Sequence, residues 1–153
     1  MLEARILRSP YAHARIGRVD ASAIAPGVVA LTPGDVADLG MYGAQIKDQT
    51  VLACDRARFA GDPVAAVAAE TLREADEALA LIEVDYEELD SVFDPVAACD
   101  QDAPLVHDRH NVSENDAAYF GIRPQQGTNV CHRFRLRQGD VEAGFAEADV
   151  VVE

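Results

Sequence analysis

Residues 63–89 read PVAAVAAETLREADEALALIEVDYEEL, and this stretch decides the fold. The unbroken apolar run at residues 64–69 has the length and composition of a buried strand. Thr71 and Glu74 then form a capping box, which predicts the start of a helix. The apolar positions of that helix share one face: Leu72, Ala75, Leu79 and Ile82. From Ile82 onward the apolar period becomes two, which predicts a second strand. If that strand lies parallel to the first, the crossover is right-handed.

The rest of the chain contains shorter elements of both kinds, delimited by Pro, Gly and Asp. We expect further strands at residues 2–8, 28–31, 51–53 and 131–136. We expect helices or helical turns at residues 21–25, 94–99 and 141–148. Residues 38–49 and 111–130 lack a sustained period and are interpreted as loops. Together these elements predict an α+β protein in which short helices pack on a small mixed sheet.

The composition excludes two classes of partner. The chain has 153 residues, 49% apolar and 26% charged, so it can bury a core. It carries 27 acidic against 13 basic residues, for a formal net charge of −14, and no nucleic-acid partner is expected because phosphate binding needs clustered Lys and Arg. No apolar stretch approaches the ~20 residues of a membrane span, and the first residues lack a secretory apolar run. We therefore expect no membrane contact and a cytoplasmic location.

The cysteines and histidines match no strong metal or catalytic motif. The three cysteines contain no C-x-x-C pair: Cys54, Cys99 and Cys131. One cluster combines several ligand types: His107, His110, Cys131 and His132. Its spacing is not that of a zinc site, so a small metalloprotein is the least favoured hypothesis. Glycine-rich phosphate loops and nucleophile elbows are absent, and we predict no catalytic, cofactor-binding or metal-binding residue in this chain.

Five ordered blocks of the sequence resemble one enzyme family. They are residues 7–28 (LRSPYAHARI at 7–16, VD at 19–20, PGV at 26–28), 51–65 (VLACD, then FAGDPVA from Phe59), 75–89 (ending IEVDYEEL), 103–107 (APLVH) and 139–151 (GDVEAGFAEADVV). In this order they are similar to the large, molybdopterin-binding subunit of the xanthine dehydrogenase and aldehyde oxidase family. The resemblance covers most of the chain.

The resemblance implies a fold and a domain division. Residues 1–110 correspond to the α/β hammerhead domain, a structural N-terminal domain of the molybdenum subunit. Residues 111–130 are a connecting loop, longer than is usual in the family. Residues 131–153 correspond to the truncated start of the first molybdopterin-binding domain. The family's segment before the first strand is absent, as are its downstream glycine-rich pterin loop and catalytic glutamate, so we expect the chain to be part of a longer one and inactive alone.

The resemblance also implies a reaction and its cofactors. The whole subunit would hydroxylate an aldehyde, a purine or other heteroaromatic, or carbon monoxide with water. Molybdopterin-bound molybdenum would lie elsewhere in the parent subunit, with iron–sulfur clusters and FAD in partner domains or subunits. The expected partners are therefore the remainder of the molybdenum subunit and its iron–sulfur and flavin components.

One loop is a candidate for substrate contact. In this family the stretch before the L-A-x-D motif edges the funnel to the metal, and here it is residues 40–49. The resemblance makes Gln45 and Ile46 the substrate-facing side chains, with Met41 and Tyr42 nearby.

An alternative keeps the fold and changes the role: a stand-alone acidic module that binds a protein or a small ligand. Exposed apolar surface around residues 131–136 and 150–152 would favour the enzyme domain, because a free module should be polar at both ends.

Overall fold

The computed structural model describes residues 1–152 and contains strands, short α-helices and 3₁₀ turns in that range. The strands are β1 (Glu3–Arg8), β2 (Ala14–Asp20), β3 (Val29–Leu31), β4 (Arg56–Ala57), β5 (Pro63–Ala69) and β6 (Glu83–Glu88). The α-helices are α1 (Pro33–Val36), α2 (Leu72–Leu79), α3 (Glu114–Phe120) and α4 (Val141–Glu147). The 3₁₀ turns are Ala37–Leu39 and Ala97–Cys99.

The six strands form two three-stranded sheets with the orders β1-β5-β3 and β4-β2-β6. Every strand pair is antiparallel. The expected α+β class is confirmed, but the strands form two antiparallel sheets and not one mixed sheet. The reason is that β6 pairs with β2 and does not lie beside β5, so the β5–α2–β6 connection joins the two sheets.

Strand β5 contributes to both hydrophobic cores. Ala65, Val67 and Ala69 pack with the buried face of α2 in one core. Val64, which points to the other side of β5, packs with Ile16 and with the 53–57 segment in the second core. Because β5 is covered on both sides, its near-continuous apolar composition matches its burial.

Helix α2 begins where the capping box predicts. The Thr71 hydroxyl accepts the Glu74 backbone N–H at 3.2 Å, and the Glu74 carboxylate accepts the Thr71 N–H at 3.0 Å. Its buried side chains are Ala75 and Ala78, with Leu79 half-buried. Leu72, predicted on the same face, is exposed because it lies in the first turn. The small alanines allow the helix to approach the alanine-rich β5 closely.

Strand β2 is absent from the expected elements because its pattern is irregular. Its register against β6 shifts between Ile16 and Val19. Ile16 pairs with Tyr86 and Val19 with Val84, so two apolar residues three positions apart both pair with β6. A bulge between Ile16 and Val19 therefore removes the alternation that would have indicated a strand.

Two expected strands are wrong. Residues 51–53 form a bend, although Leu52 and Ala53 are buried, and the strand of this region is β4. Residues 131–136 form no strand, and Phe134 and Leu136 are 76% and 82% exposed. A strand needs a paired neighbour, and within residues 1–152 this segment pairs with no strand.

Local capping accounts for the structure near the predicted turns and for one missed helix. Asp140 caps α4 by accepting the Ala143 N–H at 3.1 Å, as predicted. Asp94 accepts two backbone N–H groups at the start of the 94–99 turn. Helix α3 lies inside the region interpreted as a loop, capped by Ser113 and ended by the left-handed Gly121. The domain boundaries at residues 110 and 130 stay a prediction.

The capping box gives a testable stability prediction. Thr71→Ala should lower the free energy of unfolding by about 1 kcal/mol, because the Glu74 N–H loses its acceptor. Thr71→Ser retains the hydroxyl and should lie within a few tenths of a kcal/mol of the wild type. Urea unfolding followed by circular dichroism measures both. Equal losses in the two variants would show that the hydroxyl does not cap the helix.

Candidate functional site

The predicted substrate loop, residues 40–49, closes on itself. Tyr42 and Gln49 pair through two backbone hydrogen bonds of 2.8 and 3.1 Å. The Lys47 ammonium donates to the Gly43 carbonyl at 2.6 Å. Gly43 has φ of +155°, and a Cβ there would overlap the Ile46 carbonyl oxygen, so no other residue fits this turn. The loop is therefore a small hairpin with a defined backbone.

A second segment, residues 104–111, lies against this loop. The Lys47 backbone N–H donates to the Asn111 carbonyl at 2.6 Å. The Asn111 side-chain amide lies 3.3 Å from the Met41 sulfur, which is a weak acceptor. The 40–49 loop thus contacts a part of the chain more than sixty residues downstream.

A cavity of about 400 Å³ separates the loop from the 104–111 segment and from residues 58–63. Its walls combine aromatic and charged side chains: Tyr42, Asp48, Arg58, Phe59, Asp62 and His107. A volume of this size is in the range of small-molecule sites.

Arg58 is the cation of the cavity and is largely buried, with 12% of its side chain exposed. Its Nη1 donates to the Arg56 carbonyl at 3.2 Å and lies 3.5 Å from the Asp55 carboxylate. Its backbone N–H donates to the Asp62 carboxylate at 2.9 Å. Asp62 and Arg58 therefore form a compact polar floor.

Burial shifts the protonation of two groups in the cavity wall. Burial raises the pKa of the Asp62 carboxyl, while the Arg58 backbone N–H and charge and the nearby His107 act in the opposite direction. Burial, followed by the Arg58 charge, lowers the pKa of His107 below its usual value. The Asp48 carboxylate, 3.9 Å from His107 Nε2, opposes that shift. His107 is consequently neutral at pH 7.

The sequence-predicted loop residues differ in their surroundings. Tyr42 lines the cavity, and Met41 contacts Asn111. Gln45 is exposed and Ile46 is half-buried in the loop. Their contact with substrate remains a prediction.

The amino-acid sequence of the chain matches one family profile. The profile described as "Aldehyde oxidase and xanthine dehydrogenase, a/b hammerhead domain" matches residues 1–90. The chain belongs to this hammerhead family. The fold and the resemblance expected from the sequence are both confirmed by this match.

Relatives of the hammerhead chain match it along its length. It is 37% identical over 156 residues to a subunit of a probable xanthine dehydrogenase of Bacillus subtilis, covering 100% of the chain and 18% of the relative. It is 35% identical to a nicotinate dehydrogenase large molybdopterin subunit of Eubacterium barkeri, covering 100% of the chain and 32% of the relative. The chain therefore spans a third or less of these relatives.

Solved structures show the same hammerhead. A Cu,Mo-CO dehydrogenase in its carbon monoxide reduced state aligns with a TM-score of 0.73 and 36% identity, over 98% of this chain and 19% of that one. Quinoline 2-oxidoreductase from Pseudomonas putida 86 aligns with a TM-score of 0.55 and 40% identity, over 63% of this chain and 14% of that one.

The histidine and cysteine cluster does not assemble a metal centre. The His107 and His110 rings are tilted, with centroids 6.3 Å apart. His110 is buried, and its Nε2 is 2.9 Å from the Thr128 carbonyl, while Cys131 and His132 are exposed. Within residues 1–152, no three His, Cys, Asp or Glu side chains converge on a point that could hold a metal ion.

Ser9 and His13 make contacts that stabilise the turn after β1. The Ser9 hydroxyl bonds to the backbone of Tyr11 at 3.1 Å. His13 Nδ1 is 2.7 Å from the Asp90 carbonyl, which anchors the turn after β1 to the end of β6.

No helix within the described part of the hammerhead is long and apolar enough to cross a membrane.

The sequence signals for the cavity floor are weak. Arg58 and Asp62 flank the Gly61 turn, and no motif indicates that an arginine and an aspartate four residues apart would meet. The sequence singles out His107 only as a member of the metal cluster. Its neighbours Asp48 and Asp62 are distant in sequence, so only the fold brings them together.

The buried histidine predicts a pH dependence of stability. The unfolded His107 titrates near pH 6.5, and the folded group titrates lower. Between those two values the unfolded chain binds more protons, so the free energy of unfolding should fall as pH decreases below about 6.5. His107→Gln should reduce that slope.

Two measurements check the direction of this pH dependence. Urea unfolding of the wild type and of His107→Gln at several pH values between about 5 and 7 gives the slopes. An NMR titration of the His107 ring gives its folded midpoint. A midpoint at or above about 6.5 would contradict the prediction.

Proposed function

We propose that the chain is the structural hammerhead domain of the molybdenum-binding subunit of a molybdenum hydroxylase. The observation that carries this proposal is the family match over residues 1–90, together with similarity over the whole chain to about a third of a large molybdopterin subunit. Carbon monoxide dehydrogenase large chains are similar as well, at 37% identity in one case. The parent protein would hydroxylate an aldehyde, a heteroaromatic or carbon monoxide with water.

The chemistry would take place outside this chain. The donor set of residues 1–152 does not form a metal site, so no step through molybdenum is assigned to these residues. The partners would be the rest of the molybdenum subunit, with iron–sulfur and flavin components that pass electrons onward. The hammerhead would contribute a rigid wall, and the isolated chain would be inactive.

The loop at residues 40–49 would form part of that wall. Its backbone is held by the Tyr42–Gln49 pair and by the turn at Gly43. Such a hairpin can present the exposed Gln45 and the half-buried Ile46 to substrate while the sheets beneath stay unchanged. The adjoining cavity supplies space for a small molecule.

The alternative, a stand-alone acidic binding module, is less well supported. Such a module should be polar at both ends, yet Phe134 and Leu136 are strongly exposed. Val150 and Val152 are exposed as well. Apolar side chains in this number are typical of a surface that another part of a protein covers.

The deciding experiment uses the complete protein encoded by the gene that contains these 153 codons. We expect purified protein to contain molybdenum and a pterin, and to reduce an artificial electron acceptor with at least one member of a substrate panel: benzaldehyde, hypoxanthine, nicotinate, quinoline and carbon monoxide. The 153-residue chain alone should contain neither and should show no turnover. Complete protein without molybdenum or pterin would contradict the proposal.

Loop variants test the substrate-facing residues. On whichever substrate is oxidised, Gln45→Ala and Ile46→Ala should each raise KM about three- to tenfold, since they remove binding contacts and leave the metal site intact. The matched control is Gln101→Ala, an exposed position in a turn, which should leave KM unchanged. If the loop variants and the control have the same KM, the loop does not contact substrate.

A further inference from the structure

Two side chains of the 111–130 connecting loop, Gln126 and Asn129, hydrogen-bond back to the backbone of residues 98–110. The Asn129 amide donates to the carbonyls of Ala98 and Pro104 at 3.1 and 2.9 Å, and its oxygen accepts the Val106 N–H at 2.9 Å. The Gln126 side chain bonds both backbone groups of His110. Both side chains lie in the region that the sequence alone indicates is a loose loop.

The Gln126 side chain holds the backbone of His110 through both its N–H and its carbonyl group. The His110 N–H donates to the Gln126 amide oxygen at 3.1 Å, and the Gln126 amide nitrogen donates to the His110 carbonyl at 2.8 Å. The His110 ring is bonded to Thr128 and is 5% exposed. Backbone and side chain of His110 are thus both held by residues 126–128.

The next residue carries the contact to the substrate loop. Asn111 follows His110 directly, and its carbonyl accepts the Lys47 backbone N–H at 2.6 Å. Because the peptide unit between His110 and Asn111 is planar, holding the His110 carbonyl also fixes the position of the Asn111 backbone nitrogen and Cα, from which the Asn111 carbonyl extends. The contacts form one continuous path from Gln126 through His110 and Asn111 to Lys47.

We propose that Gln126 is a positioning residue for the 40–49 loop and sets the width of the adjoining cavity. The cavity has Tyr42 and Asp48 on the loop side and His107 on the 104–111 side, so a shift of either segment changes its size. The effect of the cavity width on substrate binding rests on the proposed function. The substrate specificity that the loop confers then depends on Gln126, about eighty positions downstream of it.

Alternative roles for Gln126 predict different measurements. Removal of a residue that merely stabilises the fold would speed exchange of the core amides, which open only when the whole domain unfolds. A positioning residue would loosen the His110 N–H, which loses its acceptor, and the Lys47 N–H. It would leave the Tyr42–Gln49 pair unchanged, because that pair closes within the loop and does not use the 104–111 segment. Amide hydrogen exchange separates the two cases.

The test compares Gln126→Ala with the matched control Gln125→Ala in the complete protein. In the structure, Gln125 is exposed and forms hydrogen bonds through its backbone. We expect the Lys47 amide to exchange about tenfold faster or more in Gln126→Ala and at the wild-type rate in Gln125→Ala. The Tyr42, Gln49 and Ala53 amides should be unchanged in both variants. Gln126→Glu keeps the acceptor for the His110 N–H but not the donor, and should give an intermediate rate.

A second readout uses catalysis. On whichever substrate of the panel above is oxidised, Gln126→Ala should raise KM about three- to tenfold with kcat within about twofold, and Gln125→Ala should change neither. Unchanged Lys47 exchange, or exchange that rises equally across the core, would overturn the proposal. If no substrate is oxidised, the proposed function fails, and the exchange measurement still decides whether Gln126 positions the loop.

Discussion

The structure depends on the burial of β5 on both of its faces. Val64 packs toward the second sheet, while Ala65 packs toward α2, and neither is exposed. A strand with two buried faces must be apolar at successive positions, and its neighbours must be small where a helix approaches closely. The alanines of β5 and α2 satisfy that condition. Since β1 and β3 both pair with β5, its position also determines the first sheet.

The sequence predicts the elements whose signals are local. The capping box, the apolar run of β5, the alternation of β6 and the Asp140 cap each lie within a few residues and are all observed. The strands that the sequence does not predict correctly depend on distant partners. Strand β2 has a bulge that exists only in pairing with β6, and residues 131–136 have strand alternation but pair with no strand of the described chain.

The candidate site, too, is predictable only where its signal is local in the sequence. The 40–49 loop can be located by family resemblance, because its position before the L-A-C-D motif is a property of the sequence. The cavity beside it cannot, since Asp48, Arg58 and His107 meet only after both sheets form. A buried arginine beside a neutral histidine has no sequence motif. The histidine is neutral because its burial, followed by the Arg58 charge, disfavours a second positive charge there.

The connection between residues 104 and 130 explains why a hydrophilic hairpin can have a defined position. The Tyr42–Gln49 pair holds the hairpin together but does not orient it relative to the sheets. Orientation requires a contact with a separate segment, and the Lys47–Asn111 hydrogen bond provides it. Side-chain amides that bond the backbone directly, at Gln126 and Asn129, hold that segment in place. A polar loop is therefore positioned by polar contacts, and substitutions in the connection can alter the cavity without changing any residue that lines it.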